Sequence, residues 1–385
     1  MNIAILLLNQ GRGSGEVARQ HARYLISQRH QVYFVQPQSG SGVKGAIDIE
    51  VKLHTDILPV HENLPSARKK QKAVSTMTFE EATAYIPAYE NALEQIIQEV
   101  DIVIGHHTNL SAIATYNVCN RHSKPYVLFL HGTGIEPRHH GGYDDRLWNQ
   151  IQTAIENANG HIVTTEYVRD YLVKNIVDIP ADRFFVLPCG IDLSEFHPDN
   201  TDGILEKYSM PETYVICPGA LTFVKGPQNV VAASAFFRDS ASTIFIGDGE
   251  MRTELETKLG EHGHFLGFVP AEDKAKLINA ASLLVAAPEK KEHFGIIYAE
   301  ALAGGTPTVA YDGGGVSAII TPETGILTER NPEKLGKAVN NLLQNKEQYN
   351  SMRIKGRQRA ENHFSNIMLG ARLEEWLSQF VAPNS

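Results

Sequence analysis

The sequence predicts an α/β protein made of two parallel-sheet domains in succession, and three observations lead there. Short runs rich in Val, Ile and Leu alternate with stretches of helical pattern. The alternation stops at a polar, turn-rich stretch after Asp192 and then restarts. The 385 residues suffice for two cores of ordinary size, and a composition 42% hydrophobic and 21% charged is that of a chain folded throughout.

The first run, residues 3–8, reads as a buried strand, because it is too short for a signal segment or a membrane span and leads into a glycine-rich turn. A helix to about Gln28 follows, then strands at 32–35, 102–104, 126–130 and 162–164. Apolar runs of this kind, separated by helices, are strands covered on both faces. Phe196, His197, Pro198, Asp199, Asn200, Thr201, Asp202 and Gly203 carry the turn formers, which sets the domains at 1–197 and 198–364. The second series has strands at 214–217, 243–246, 264–268, 283–286 and 308–311. From Pro332 onward the text is helical and charged. The last helix, 365–385, with Trp376, Leu377 and Phe380, is expected to pack back on the first domain.

The net charge of −9, from 35 basic and 44 acidic residues, opposes attraction to nucleic acid or an anionic membrane. The local exception, Arg68, Lys69, Lys70 and Lys72, reads as a solvated loop, or as a contact for an anionic acceptor or headgroup. Cys119, Cys189 and Cys217 are too few and too scattered for a disulfide framework or a Cys-x-x-Cys metal site, which suits a reducing cytoplasm.

Gly11, Arg12, Gly13, Ser14, Gly15 and Glu16 form a strand-to-helix turn whose small residues let backbone N–H groups approach a phosphate. Glu16 stands where a dinucleotide fingerprint needs its third glycine, and Gln36 and Gln38 stand where NAD binding needs an acid. A dinucleotide site is therefore not indicated. The richest segment is 288–310, where Glu292, His293, Phe294, Gly295, Ile296 and Ile297 lead through Glu300 to Gly304, Gly305, Thr306 and Pro307. Helix formers between Gly295 and Ala303 put Glu300 on a helix and Glu292 just before its N-terminus, where anions are favoured. Ionised carboxylates accept paired sugar hydroxyls, so the two glutamates suit a sugar and a ribose on either side of a phosphate.

This segment resembles the signature of glycosyltransferase family 4, E-x-F-G-x-x-x-x-E-A-x-A-x-G-x-P-x-V, and every letter is met. The resemblance continues at Pro188, Cys189, Gly190, Ile191, Asp192 and Phe196, at 219–226, at Gly247, Asp248, Gly249 and Glu250, at Leu266, Gly267 and Phe268, and at Gly314, Gly315, Gly325 and Leu327. It implies a GT-B architecture, two Rossmann-like domains facing across a cleft. It also implies a retaining, metal-independent transfer of a hexosyl group from a UDP- or GDP-hexose donor. No other cofactor is implied. On matching positions, it implies Lys225 on the diphosphate, Glu300 on the ribose and Glu292 on the donor sugar. The backbone of Phe294, Gly295 and Ile296 would meet sugar and phosphates, and Gly219 would open the phosphate loop. The base would lie near Gly267 and Phe268, Gly13 and Gly15 would close on the phosphate, and His131 would stand beside the donor sugar.

His131 ends a strand and precedes Gly132 and Gly134, at the carboxyl end where α/β ligands bind. The pairs His106-His107 and His139-His140 lack the spacing of a zinc site and read as cleft or loop residues. No Asp-x-Asp occurs to hold a divalent ion. Two departures stand out: Ala220 replaces the family's arginine after Gly219, and Ala318 replaces a frequent glutamate. Arg12 is the candidate to supply the missing cation. The acceptor, a small molecule, glycan or lipid-linked sugar, is expected on the N-terminal domain near Thr108, Asn109, His139, His140 and residues 57–83. A nucleotide-sugar epimerase or hydrolase of the same architecture is one alternative, and a weakly active binding or regulatory subunit is the other. The sequence leaves the oligomeric state open.

Overall fold

Parallel pairing of buried apolar strands organises both halves of the chain. The computed structural model describes residues 1–10, 13–38, 40–62 and 70–381. The chain divides into a first unit, 1–190 with 366–385, and a second unit, 191–365.

The first unit contributes β1 (Asn2–Leu6), β2 (Gln31–Gln36), β3 (Ile47–Glu50), β4 (Leu58–Val60), β5 (Gln71–Ala73), β6 (Ile102–His106), β7 (Tyr126–Leu130), β8 (Gly160–Val163) and β9 (Phe184–Val186). Seven of these form one sheet in the order β3-β2-β1-β6-β7-β8-β9, and β4 pairs with β5 separately. All pairings are parallel. Strand order reverses between β1 and β6, the point at which the carboxyl ends of an open α/β sheet leave a crevice for a ligand.

Helices cover the sheet through apolar stripes. Helix Asp145–Glu156 buries Leu147, Trp148, Ile151, Ala154 and Ile155, a helical spacing, and Asp144 caps its start by accepting from Arg146 N–H. Helix Asn366–Ser378 lies against helix Gly13–Ser27, and its Trp376 stacks on Phe185 with ring centres 5.0 Å apart. His30 Nε2 meets Glu374 Oε1 at 2.8 Å on the same face.

The second unit contributes β10 (Tyr214–Pro218), β11 (Ser242–Ile246), β12 (Gly263–Phe265), β13 (Leu283–Ala286), β14 (Thr308–Tyr311) and β15 (Gly325–Thr328), in the order β12-β11-β10-β13-β14-β15. Its reversal falls between β10 and β13. Helix Pro332–Gln344 starts on Asn331, whose side chain accepts from Lys334 N–H, with proline at the first helical position.

Two boundaries differ from the sequence expectation. The first unit ends at Gly190, not 197, because Ile191 is tied into the second unit: its N–H donates to Phe364 O at 2.7 Å and it bridges to Ser365. The strand expected at 264–268 stops at Phe265. Gly267 then takes a left-handed φ of +69° and its carbonyl turns to accept from Gly247 N–H at 2.8 Å. Among the described residues, no helix is long and apolar enough to cross a membrane.

Candidate functional site

In the second unit the loops leaving β10 and β13 flank the strand-order reversal, and the key charged residues sit on them. The β10 loop runs from Gly219 to Lys225 and ends at Gly226, with φ +69°. A Cβ on Gly226 would lie 1.8 Å from Ala287 O, so only glycine lets this loop press on the backbone that leaves β13. That backbone then carries Glu292, whose carbonyl accepts from Gly315 N–H at 2.7 Å and which bridges to Gly314 in the loop leaving β14. Lys225 Nζ donates to Glu292 Oε1 at 2.8 Å.

Gly295, at φ +87°, caps helix Ile296–Ala303, and its carbonyl accepts from Tyr298 N–H at 3.0 Å in the first turn. Phe294 is buried, while Gly295 and Ile296 are half-buried. Glu300, one turn on, is 7% exposed. A polar group at that depth needs a partner, and Lys274 supplies it, donating from Nζ to both oxygens at 2.7 and 2.8 Å. Lys274 was not singled out in the sequence; its place one turn into helix Ala271–Ala280, shortly after Gly267 and Phe268, was the available signal.

The glycines of this unit stack their loops closely. Gly219 N–H donates to Ile246 O at 2.8 Å, and a Cβ on Gly247 would lie 2.0 Å from Gly219 O. Phe268 projects from the Gly267 turn with 74% of its surface exposed. Ala220 leaves a methyl at the position where the resemblance implies an arginine. Arg252 nearby is engaged by Glu256 at 2.8 Å, Asp248 at 3.6 Å and the Phe265 carbonyl at 3.1 Å. Ala318 ends the short helical turn Val316–Ala318, and its carbonyl accepts from Arg359 Nη2 at 2.7 Å.

In the first unit the exits of β1, β6 and β7 carry a histidine cluster. His106 and His107 are 0% and 1% exposed: His106 ends central β6 and stacks on Phe129 of β7, and His107 follows it in the buried loop before helix Leu110–His122. His106 Nδ1 lies 2.9 Å from His131 Nε2, and His131 itself stacks on Phe129 at 4.1 Å. His107, at φ +75°, accepts from Leu8 N–H through Nδ1 at 3.3 Å. That bond places its proton on Nε2, which donates to Ser14 Oγ at 2.7 Å. Asn109 Nδ2 donates to His61 Nδ1 at 3.2 Å. Burial depresses the imidazoles: His21 and His61 to about 4, and His106 and His107 well below the usual value, so all four stay neutral near pH 7.

Gly13 and Gly15 open helix Gly13–Ser27, and a Cβ on Gly15 would lie 1.9 Å from Gln10 O. Arg12 and Gly11 lie outside the described residues, as do Arg68 and Lys69. Lys72 pairs with Glu81 at 2.7 Å and Lys70 reaches Asp56 at 4.0 Å. His139 Nε2 donates to Leu172 O at 2.8 Å, and His140 is exposed. Cys119, Cys189 and Cys217 are buried free thiols that burial pushes up to about 12.

Comparison with known proteins places this arrangement. Residues 205–359 match the family described as Glycosyl transferases group 1, and residues 11–195 match Glycosyltransferase Family 4. The alpha-maltose-1-phosphate synthase of Mycolicibacterium smegmatis is 24% identical over 69% of this chain and 76% of its own length. The GDP-mannose-dependent alpha-(1-6)-phosphatidylinositol dimannoside mannosyltransferase of Mycobacterium tuberculosis is 28% identical over 53% of this chain and 54% of its own, so the match spans little more than half of that relative. Anabaena HepE, solved with UDP, superposes with a TM-score of 0.77 at 16% identity, covering 98% of this chain and 100% of that one. Sucrose-phosphate synthase from Thermosynechococcus elongatus gives 0.74 at 17%, covering 98% and 99%. With a family match on each parallel-sheet unit and this fold, the chain belongs to the group 1, family 4 glycosyltransferases and is a sugar-transferring enzyme of GT-B fold.

Proposed function

We propose that the chain is a retaining hexosyltransferase that takes its sugar from a UDP- or GDP-hexose bound by the second unit and passes it to a hydroxyl acceptor without a divalent ion. The observation that carries this reading is the Lys225–Glu292 pair at the β10/β13 reversal, beside a helix that starts at Ile296 and bears Glu300. UDP in the HepE structure and GDP-mannose in the mannosyltransferase's name support a nucleotide sugar as the class of donor.

In this reading the Lys225 ammonium and the N–H groups at the helix start, Ile296, stabilise the diphosphate as it leaves, the role a metal fills elsewhere. Glu300 accepts from the ribose hydroxyls, Glu292 from the hexose, and Phe268 lies against the base. The acceptor oxygen bonds to the anomeric carbon on the face from which the phosphate oxygen departs, and that oxygen takes the acceptor's proton. For the first unit we propose that Gly13 and Gly15 serve the phosphate and His131 the hexose, with Asn109, His139 and His140 on the acceptor side.

The test uses water as the simplest acceptor. Purified chain is incubated with UDP- and GDP-hexoses in excess EDTA, and the released sugar is followed by NMR before its anomers equilibrate. Release of the donor's own anomer supports the reading. Release of the opposite anomer, or release only when a divalent ion is restored, refutes it.

A further inference from the structure

One two-oxygen ion pair in the second unit joins residues on different helices, and only one of them has been given a role. Lys274 Nζ holds both oxygens of Glu300, 26 residues away, at 2.7 and 2.8 Å. A carboxylate oxygen has two lone-pair directions. The ammonium therefore takes one edge of the group and leaves the remaining lone pairs for a pair of vicinal hydroxyls.

The surroundings of Lys274 hold it to this task. Asp273, its neighbour in sequence, is already met by Lys207 Nζ at 2.7 and 2.9 Å and by Tyr208 Oη at 2.7 Å. Those bonds also fix the first turn of helix Ala271–Ala280. Its far end is fixed by Asn279, whose Nδ2 donates to the carbonyls of Glu195 and Asn200 at 3.1 and 3.0 Å. The Lys274 ammonium further lies 5.6 Å from the centre of the Phe196 ring, a favourable placement for a cation. A helix pinned at both ends and a cation with one carboxylate to serve make a preformed bracket for Glu300.

We infer that Lys274 is a positioning residue for nucleotide recognition: it holds the Glu300 carboxylate turned so that it accepts both ribose hydroxyls without rearrangement. This rests on the reading of Glu300 as the ribose acceptor. It adds a residue that sets the preference for ribonucleotides over analogues lacking those hydroxyls.

The experiment measures binding of UDP and GDP, and of their 2′,3′-dideoxy analogues, by calorimetry to wild type, Lys274→Met and Lys274→Arg, each checked for folding by thermal melting. Lys274→Met should bind the preferred ribonucleotide about ten- to a hundredfold more weakly while binding its dideoxy analogue as wild type does. Lys274→Arg should regain most of the preference. Equal weakening of both nucleotides, or an intact preference in Lys274→Met, overturns the inference and leaves Glu300's role standing. A wild type that does not distinguish the two nucleotides overturns the ribose reading itself. Should Lys274→Met fail to fold, Lys274→Gln carries the same comparison.

Discussion

Lys225 and Glu292, 67 residues apart, form an ion pair of 2.8 Å across the two loops that flank the strand-order reversal of the second unit. The lysine side chain is about half exposed and the glutamate about one-fifth. Pairs so placed contribute under about 1 kcal/mol to stability. Lys225→Ala should therefore melt within a few degrees of wild type, yet lose about 10²- to 10³-fold in turnover, as expected for removing a group that meets developing charge. A melting curve and a rate on the same preparation check this. A large loss of stability with little loss of rate would assign the pair to the fold.

The same pair predicts a divided effect for Glu292→Gln. The substitution frees Lys225, so affinity for a nucleoside diphosphate should stay within about threefold of wild type or improve. Turnover of the nucleotide sugar should fall by about tenfold or more, because a charged acceptor for the hexose hydroxyls is lost. Calorimetry with UDP and GDP, set beside the rate, separates the two.

Gly226 holds the lysine loop in place. Gly226→Ala puts a methyl 1.8 Å from Ala287 O at a φ of +69°, and should cost about 3 kcal/mol of stability by urea unfolding. Turnover should fall with it. Unchanged unfolding would show that the loop has room the geometry denies.

Much of this was legible in the sequence. The apolar runs at Tyr126–Leu130, Leu283–Ala286 and Thr308–Tyr311 became strands with those bounds, because central parallel strands are apolar on both faces. The edge strands of the first sheet were not legible: Ile47–Glu50 is largely exposed and alternates with acids, and Phe184–Val186 is three half-buried residues. Gly295 and Gly304 marked the ends of the helix that bears Glu300. Its partner Lys274, though placed on a helix by the pattern, was not paired with it, since a contact between residues 26 apart depends on how helices Ala271–Ala280 and Ile296–Ala303 are set beside each other. Likewise His107, read as a cleft or loop residue, does follow β6 in a loop, but its burial was not legible, since only the parallel register of β1 and β6 brings Leu8 N–H to its ring.

The buried imidazoles set a pH dependence with a definite sign. His21 is held near 4 by burial against an unfolded value of about 6.5, and His61 likewise, with His106 and His107 also lowered. Below about pH 6.5 the unfolded chain takes up protons that the folded chain refuses. Stability is therefore full above that pH and is lost as pH falls toward 4, by about 3 kcal/mol for His21 alone. His21→Phe, which keeps a ring stacked against Phe129, should flatten the fall in melting temperature between pH 7 and 5. An unaltered slope would mean His21 is protonated in the folded chain.

The most direct test of the donor assignment is calorimetric titration of UDP-glucose and GDP-mannose in EDTA into wild type, Lys225→Ala and Glu300→Ala. The account predicts that wild type binds at least one of the two, that Glu300→Ala weakens it by about tenfold or more, and that Lys225→Ala does so as well. Wild-type binding that survives both substitutions unchanged, or that appears only with added divalent ion, would contradict it.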